Sequence, residues 1–237
     1  MLCQEISMAS QWIDIPAGND TFGGYLALPK RGKGPAIVII QEIFGVNGHI
    51  RSIADQYAAD GYVALAPDVF WRTQPRVELG YEGADRDKGI ELLQKTDVAQ
   101  AVADIGAAAA ALRARPEVEG KLAAIGYCFG GRLAYLAAAQ RHVDVAVAYY
   151  GGGIQNHVDV AAKVTQPILF HYAGHDQSIP PDAVDTVKAA FAGRANAEFH
   201  LYPDAQHGFN CPDRASYGQR AAALAHGRTL TFLAEHL

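Results

Sequence analysis

The sequence predicts an α/β fold: a doubly wound, mostly parallel sheet with helices on both faces. Short apolar runs alternate with segments of helical periodicity along the 237 residues, and this alternation is typical of parallel β-α-β units. The runs are nearly continuous, as at residues 35–40, which is expected of strands covered on both faces. No linker, repeat or insertion long enough for a lid domain interrupts the chain, so residues 1–237 are expected to form a single domain.

The first elements are predicted to form an antiparallel hairpin, with strands at residues 11–15 and 21–28 around a Gly-Asn-Asp turn. Six further strands are predicted at residues 35–40, 62–66, 121–125, 143–150, 167–172 and 197–202. Helices are predicted at residues 49–59, 96–115, 132–140, 181–192 and 216–236. The polar, glycine-containing residues 75–88 are expected to form a loop or short helix over the site.

Composition excludes several function classes. The net charge is −5 without a basic run, so no nucleic-acid partner is expected. No segment approaches the roughly 20 apolar residues that span a bilayer, and the N-terminal residues lack the pattern of a signal peptide. Three cysteines without a C-x-x-C motif argue against a disulfide framework or a thioredoxin-type site. A cytoplasmic enzyme without a membrane partner is expected, as a monomer or dimer.

Residues 126–131, Gly-Tyr-Cys-Phe-Gly-Gly, join a predicted strand to a predicted helix. A G-x-nucleophile-x-G turn between a strand and a helix is the nucleophile elbow of the α/β-hydrolase fold, which is therefore the fold we expect. Cys128 occupies the nucleophile position, and a thiol attacks well only when its pKa is lowered from about 8.5. The alternative is that Cys128 is an inert core thiol. Cys3 and Cys211 lack this context and are interpreted as structural.

Two further residues complete a candidate triad with Cys128. Asp176 and His207 each follow a later predicted strand, and nucleophile, acid, histidine is the chain order of this fold. His207 would accept the thiol proton while Asp176 orients the ring. The backbone N–H groups of Phe129 and Ile43 are the expected oxyanion donors. The alternatives are that Asp176 only caps a loop and that His207 is an ordinary surface histidine.

Glu42 follows the strand predicted at residues 35–40 and is expected to face the crevice that holds Cys128. A carboxylate there would accept the thiol hydrogen or raise the thiol pKa; the alternative is a loop salt bridge. His171 and His175 suggest a metal site with Asp176, but strand residues alternate between faces and these side chains need not converge. We expect neither a metal nor a cofactor.

With these motifs, the chain resembles the dienelactone hydrolase (carboxymethylenebutenolidase) family over nearly its whole length. The most specific matches are Gln-Glu-Ile-Phe-Gly-Val-Asn at residues 41–47 and the elbow at residues 126–131. Supporting matches are Gly61, Tyr62, Pro67, Asp68, Tyr149, Tyr150, Gly151 and Gly174. The resemblance implies that Cys128, Asp176 and His207 form the triad. It also implies that Glu42 holds the resting thiol until substrate displaces it.

The family binds its substrate carboxylate with two arginines, and the resemblance identifies Arg86 as the first. The second is expected four residues after the triad histidine, where this chain has Cys211; Arg214 is nearby but out of register. Aliphatic Ile90 and Leu93 stand where the family has aromatic side chains. We therefore expect the acyl-transfer chemistry to be retained with a shifted specificity.

The function expected is hydrolysis of a small lactone or ester, dienelactone-like and carboxylate-bearing, through a thioester. One alternative is a general carboxylesterase or thioesterase with a small apolar pocket. Another, from a different class, is a non-catalytic scaffold that senses thiol chemistry, since one fold hosts many functions.

Overall fold

A computed structural model describes residues 10–237; Cys3 lies outside the described residues. Eight strands form one sheet in the order β1-β2-β4-β3-β5-β6-β7-β8. They are β1 Ser10–Ala17, β2 Asp20–Ala27, β3 Gly34–Ile40, β4 Val63–Pro67, β5 Val118–Tyr127, β6 Val145–Tyr149, β7 Ile168–Ala173 and β8 Ala197–Tyr202. The β1–β2 and β2–β4 pairs are antiparallel and all other pairs are parallel, as the sequence predicts.

The described residues form six α-helices. They are α1 Gly48–Ala59, α2 Gly83–Lys95, α3 Val98–Arg113, α4 Phe129–Ala139, α5 Pro181–Ala190 and α6 Gln219–His236. Helices α1 and α6 meet where the ring of Tyr57 packs on His226, whereas α3 and α4 pack on each other. The predicted two layers of helices are confirmed. None of the helices within residues 10–237 has the length and apolar character needed to cross a bilayer.

Two segments differ from their predictions. Residues 75–88 were expected to be a loop or short helix, but the three-turn helix α2 begins at Gly83 and continues to Lys95. Its side chains are mostly exposed, so its sequence lacks the apolar stripe by which helices are recognised. A 3-10 helical segment at Ile154–Lys163 was not predicted, and a kink at His157 interrupts it.

Parallel pairing brings the ends of the central strands to one edge of the sheet. Ile40 at the end of β3 pairs with Gly126 near the end of β5, and Tyr127 pairs with Tyr149 at the end of β6. The loops that follow these strands therefore surround Cys128, which comes directly after β5. This is the edge at which open α/β sheets bind their ligands.

The turn between β5 and α4 requires glycine for steric reasons. A Cβ on Gly126 would lie 1.9 Å from the carbonyl oxygen of Gly130, and one on Gly130 would lie 2.3 Å from that of Ile40. Both obstacles are backbone atoms of the core, which cannot move aside as a flexible side chain can. The start of α4 is thereby packed directly against the end of β3.

We expect Gly130→Ala to destabilise the protein severely, because the added methyl group must displace the backbone of β3. The matched control is Gly227→Ala in α6, where a Cβ meets nothing within 4 Å; helix propensity predicts a gain of up to about 1 kcal/mol there. Urea denaturation of both variants measures the difference. Equal stability of the two variants would contradict the packing described.

Candidate active site

Cys128 lies in a cleft of about 340 Å³ at this edge of the sheet. The cleft is lined by Ile43, Phe44, Arg86, Ile90, Leu93, Cys128, Phe129, Arg132, Gly152, Gly153, Ser178, His207 and Arg214. Two larger clefts, of about 430 and 500 Å³, lie along β8 and α6 and are not lined by a cysteine. Because nucleophile and histidine share only the first of these three clefts, it is the candidate active site.

The elbow holds Cys128 in a backbone conformation that few residues adopt. Its φ is 54° and its ψ is −115°, a sparsely populated region that persists only where the surroundings enforce it. Its N–H donates to the carbonyl oxygen of Tyr149 at 3.0 Å. The N–H groups of Ile43 and Phe129 bond to no other group within residues 10–237. Both residues line the cleft, so these N–H groups are available as oxyanion donors.

Asp176 and His207 are hydrogen bonded to each other. His207 Nδ1 lies 2.8 Å from Asp176 Oδ2, while Asp176 Oδ1 accepts the N–H groups of Ser178 at 2.8 Å and Ile179 at 3.1 Å. Asp176 therefore both caps its loop and orients the histidine, so the two interpretations of this residue are compatible. Burial disfavours the charged ring, but the Cys128 thiolate and the Asp176 carboxylate outweigh it and raise the pKa of His207 to about 10.

The His207 ring has a further neighbour that sequence reasoning missed. Tyr150 packs edge-on against it with 5.1 Å between ring centroids, and Phe209 packs on Tyr150 at 5.2 Å. Both aromatic residues are fully buried. They restrict the ring on the side away from solvent, which helps to keep it aligned for proton transfer.

Glu42 is buried and ion-paired. Arg214 Nη1 donates to Glu42 Oε1 at 3.0 Å, and the Glu42 side chain is 1% exposed. Burial raises the pKa of Glu42, whereas Arg214 and His207 act against that rise. Within the described residues Glu42 makes no hydrogen bond to Cys128. The observed partner of Glu42 is thus the Arg214 guanidinium, in the loop salt bridge that is the alternative interpretation of this residue.

Comparisons with known proteins agree with this geometry. The family model described as "Dienelactone hydrolase family" matches residues 22–237. A carboxymethylenebutenolidase of Pseudomonas putida is 37% identical over 215 residues, 90% of this chain and 91% of the relative. The chain belongs to the dienelactone hydrolase family.

Solved structures support the same assignment. A putative dienelactone hydrolase from Klebsiella pneumoniae is 32% identical, with a TM-score of 0.84 over 97% of this chain and all of that one. An alpha/beta hydrolase from Penicillium, 15% identical with a TM-score of 0.71 over 97% and 99% of the two chains, supports the fold alone. The predicted family, the α/β-hydrolase fold and the enzyme class that the family defines, carboxylic ester hydrolase, are confirmed.

The position of an arginine in the sequence does not show whether its side chain reaches the cleft. Arg214 is out of register with the family's second arginine, yet its side chain reaches the cleft wall and bonds to Glu42. Cys211, which occupies the expected position, is buried below it. Arg86 lies on the exposed face of α2 and lines the cleft beside Ile90 and Leu93.

Among residues 10–237, one group of side chains could ligate a metal, and the sequence did not predict it. Ligand atoms of Glu42, His49 and Cys211 lie within 4.8 Å of one another, and all three residues are buried. Burial lowers the pKa of His49 to about 4 and raises that of Cys211 to about 11. However, the Arg214 guanidinium bonded to Glu42 opposes a divalent cation at this point.

The metal site considered from the sequence does not form in the described residues. Both ring nitrogens of His171 are hydrogen bonded in the core, to the hydroxyls of Tyr202 and Thr229 at 2.9 Å each. His175 is exposed. His171 is thus a core residue, separated in its contacts from Asp176.

We expect iodoacetamide to label Cys128 and not Cys211, because Cys128 lines the cleft whereas Cys211 is fully buried. In His207→Gln the labelling of Cys128 at neutral pH should be slower, because His207, whose pKa is raised to about 10, no longer supplies the imidazolium that stabilises the attacking thiolate. Peptide mass spectrometry locates the label, with Cys211→Ser as control. A label on Cys211, or an unchanged rate in His207→Gln, would contradict this assignment.

Arg214→Gln leaves the Glu42 carboxylate buried without its cation, which is expected to cost about 3–5 kcal/mol of unfolding free energy. The double variant Glu42→Gln/Arg214→Gln should lose less than the two single variants together. Because burial raises the pKa of Glu42 and Arg214 opposes that rise, the deficit of Arg214→Gln should become smaller as the pH falls and Glu42 gains a proton. Urea denaturation tests this, and strictly additive losses would refute the coupling.

Proposed function

We propose that this protein opens a carboxylate-bearing lactone or ester of the dienelactone type through a thioester on Cys128. The combination of groups that line the cleft supports this proposal. It combines an elbow cysteine, a histidine held by Asp176 and two unbonded N–H groups. These are the nucleophile, base and oxyanion donors that acyl transfer needs.

In the first half-reaction the Cys128 thiolate attacks the substrate carbonyl carbon and forms a C–S bond. The carbonyl oxygen gains the negative charge and accepts the N–H groups of Ile43 and Phe129. The C–O bond then breaks as the imidazolium of His207 donates its proton to the leaving oxygen. In a lactone the leaving alkoxide or enolate remains attached to the acyl chain, so the product of this step is a ring-opened thioester.

In the second half-reaction His207, now neutral, accepts a proton from water as the water oxygen attacks the thioester carbonyl. The C–S bond breaks, the carboxylic acid product ionises, and the thiolate regains its pairing with the imidazolium. Asp176 keeps Nδ1 of the ring protonated throughout, so the opposite nitrogen faces the reacting groups.

Glu42 provides the control of the thiol. The ion pair with Arg214 is one of two positions of the Glu42 carboxylate. In the other, the resting position, the carboxylate accepts the Cys128 hydrogen; substrate displaces it from there as the thiol proton is transferred to it. After the product leaves, Glu42 returns this proton to the thiolate. Burial raises the pKa of Glu42, which suits a group that must carry a proton near neutral pH. A thiol that stays protonated between turnovers resists oxidation.

Arg86 binds the substrate carboxylate at the entrance of the cleft, where guanidinium and carboxylate can form two parallel hydrogen bonds. The alternative function, a general carboxylesterase or thioesterase, is favoured by the aliphatic wall of Ile90 and Leu93. The non-catalytic scaffold has no specific observation in its favour.

The proposed enzyme has one domain and works in the cytoplasm. Residues 1–237 form a single domain that acts on small molecules, without nucleic acid, membrane or cofactor. It works in the cytoplasm, where Cys128 and Cys211, both free thiols, remain reduced.

Steady-state hydrolysis of a carboxylated dienelactone and of neutral 4-nitrophenyl acetate tests the proposal. The dienelactone is expected to have the higher kcat/KM, and Cys128→Ala should reduce turnover of both by about 10³-fold or more. Cys128→Ser should also be far slower, because a hydroxyl is not ionised by these neighbours. A preference for the neutral ester would support the carboxylesterase alternative, and undiminished turnover in Cys128→Ala would refute the mechanism.

A further inference from the structure

We propose that Arg132 forms a second anion-binding subsite in this cleft and that the natural substrate is a lactone or ester with two carboxylate groups. The inference rests on the proposed function and extends it. Arg86 would receive one carboxylate and Arg132 the other. No sequence motif indicates a binding role for Arg132, because this residue lies within the helix that follows the elbow.

The first observation is that Arg132 has no anionic partner. Within residues 10–237 its side chain makes no ion pair and no hydrogen bond, although it is partly buried, and its Nε is buried and unbonded. Three other partly buried arginines have carboxylate partners: Arg51 with Glu78, Arg115 with Glu117 and Arg214 with Glu42. Arg194 donates to backbone carbonyl oxygens instead. Arg228 is partly buried and without an ion pair among the described residues, but it does not line this cleft.

The second observation is that the fold makes room for this guanidinium at the cleft wall. Gly153 has a φ of +90°, and a Cβ there would lie 2.8 Å from Arg132 Nη1. The ring of Phe129 lies 4.9 Å from the guanidinium carbon, which it faces. A planar cation is thus seated between a glycine and an aromatic ring, with the cleft beside it.

The unpaired charges in the cleft indicate the charge of the ligand. Asp176 is paired with His207 and Glu42 with Arg214, which leaves Arg86 and Arg132 as cations without a carboxylate partner among the described residues. A partly buried, unpaired guanidinium is unfavourable in the free protein. A ligand that carries an anion at each of these two points would compensate both charges, although the chain as a whole has a net charge of −5.

A second role for Arg132 must be distinguished experimentally. It lies one helical turn beyond Cys128, at the start of α4, so its charge could act on the thiolate instead of on the substrate. An effect on the thiolate would alter reactions of neutral and anionic substrates alike. An anion subsite would alter only the reactions and binding of ligands that carry the second charge.

Equilibrium binding tests the subsite independently of turnover. Succinate, glutarate and adipate are titrated calorimetrically into Cys128→Ala, each beside its monoamide, which replaces one carboxylate with a neutral amide. At least one diacid should bind about tenfold or more tightly than its monoamide, the value of a charge-assisted hydrogen bond. Adding Arg132→Gln should abolish this difference and Arg132→Lys should restore part of it. The control is Arg220→Gln, which removes the same charge from an exposed position of α6.

Kinetics provide the second arm of the test. The ratio of kcat/KM for 4-nitrophenyl hemiglutarate to that for 4-nitrophenyl acetate is measured in wild type, Arg86→Gln, Arg132→Gln and Arg220→Gln. The hemiglutarate carries one carboxylate, so Arg86→Gln should lower this ratio through KM. The 4-nitrophenyl monoester of tricarballylate carries two, and Arg132→Gln should lower its kcat/KM relative to that of the hemiglutarate, whereas Arg220→Gln should leave both ratios unchanged. Equal losses on both esters in Arg132→Gln would assign Arg132 to the thiolate and overturn the subsite.

Different results would refute the Arg132 subsite and the proposed hydrolase function. Diacid binding that does not depend on Arg132, in an enzyme that hydrolyses esters through Cys128, overturns the subsite alone. An enzyme without any Cys128-dependent hydrolysis refutes the proposed function, while the calorimetric comparison still decides whether Arg132 binds an anion.

Discussion

The close contact between the start of α4 and the end of β3 is the constraint on which the site depends. Gly126 and Gly130 leave no space for a side chain between these backbones, and this contact forces Cys128 into its positive-φ conformation. The thiol is thereby raised above the carboxyl edge of the sheet, next to Ile43 and Phe129. Other parts of the site can vary, since loops contribute them, but the position of the nucleophile follows from backbone packing.

Around this fixed point the protein arranges buried charges in pairs. His207 with Asp176, and Arg214 with Glu42, are each hydrogen bonded and largely excluded from water. In the protein interior the dielectric constant is low, so neighbouring charged side chains interact strongly. A proton transferred from one side chain to another therefore changes the energy of all the side chains around it. In the proposed mechanism, a substrate that displaces Glu42 alters the charge of Cys128 without any large movement of the fold.

The sequence was sufficient for the features that depend on local chemistry. The elbow is identifiable because its glycines and its nucleophile occupy consecutive positions, and the strands are identifiable because burial on both faces makes them continuously apolar. The order of Cys128, Asp176 and His207 then follows from the topology of the fold. Their mutual geometry agrees with that order, including the 2.8 Å bond between Asp176 and His207.

The features that could not be predicted depend on the direction of long side chains. Counting along the loop after His207 places Arg214 out of register, but a guanidinium on a flexible stem reaches Glu42 from there. The proximity of Glu42, His49 and Cys211 joins three distant parts of the chain, and no spacing rule contains it. Residues 75–88 are predicted as a loop or short helix, and the full extent of α2 is missed because an exposed helix has no apolar stripe.

If Cys128 attacks the substrate carbonyl, the acyl group is held as a thioester on this residue during turnover. Rapid acid quenching of the enzyme with a slowly hydrolysed ester, followed by intact mass spectrometry and peptide mapping, detects that thioester. We expect a mass increase equal to the acyl group, located on the peptide that contains Cys128 and reversed by hydroxylamine. Turnover with no such adduct, or with the adduct on another residue, would refute acyl transfer through Cys128.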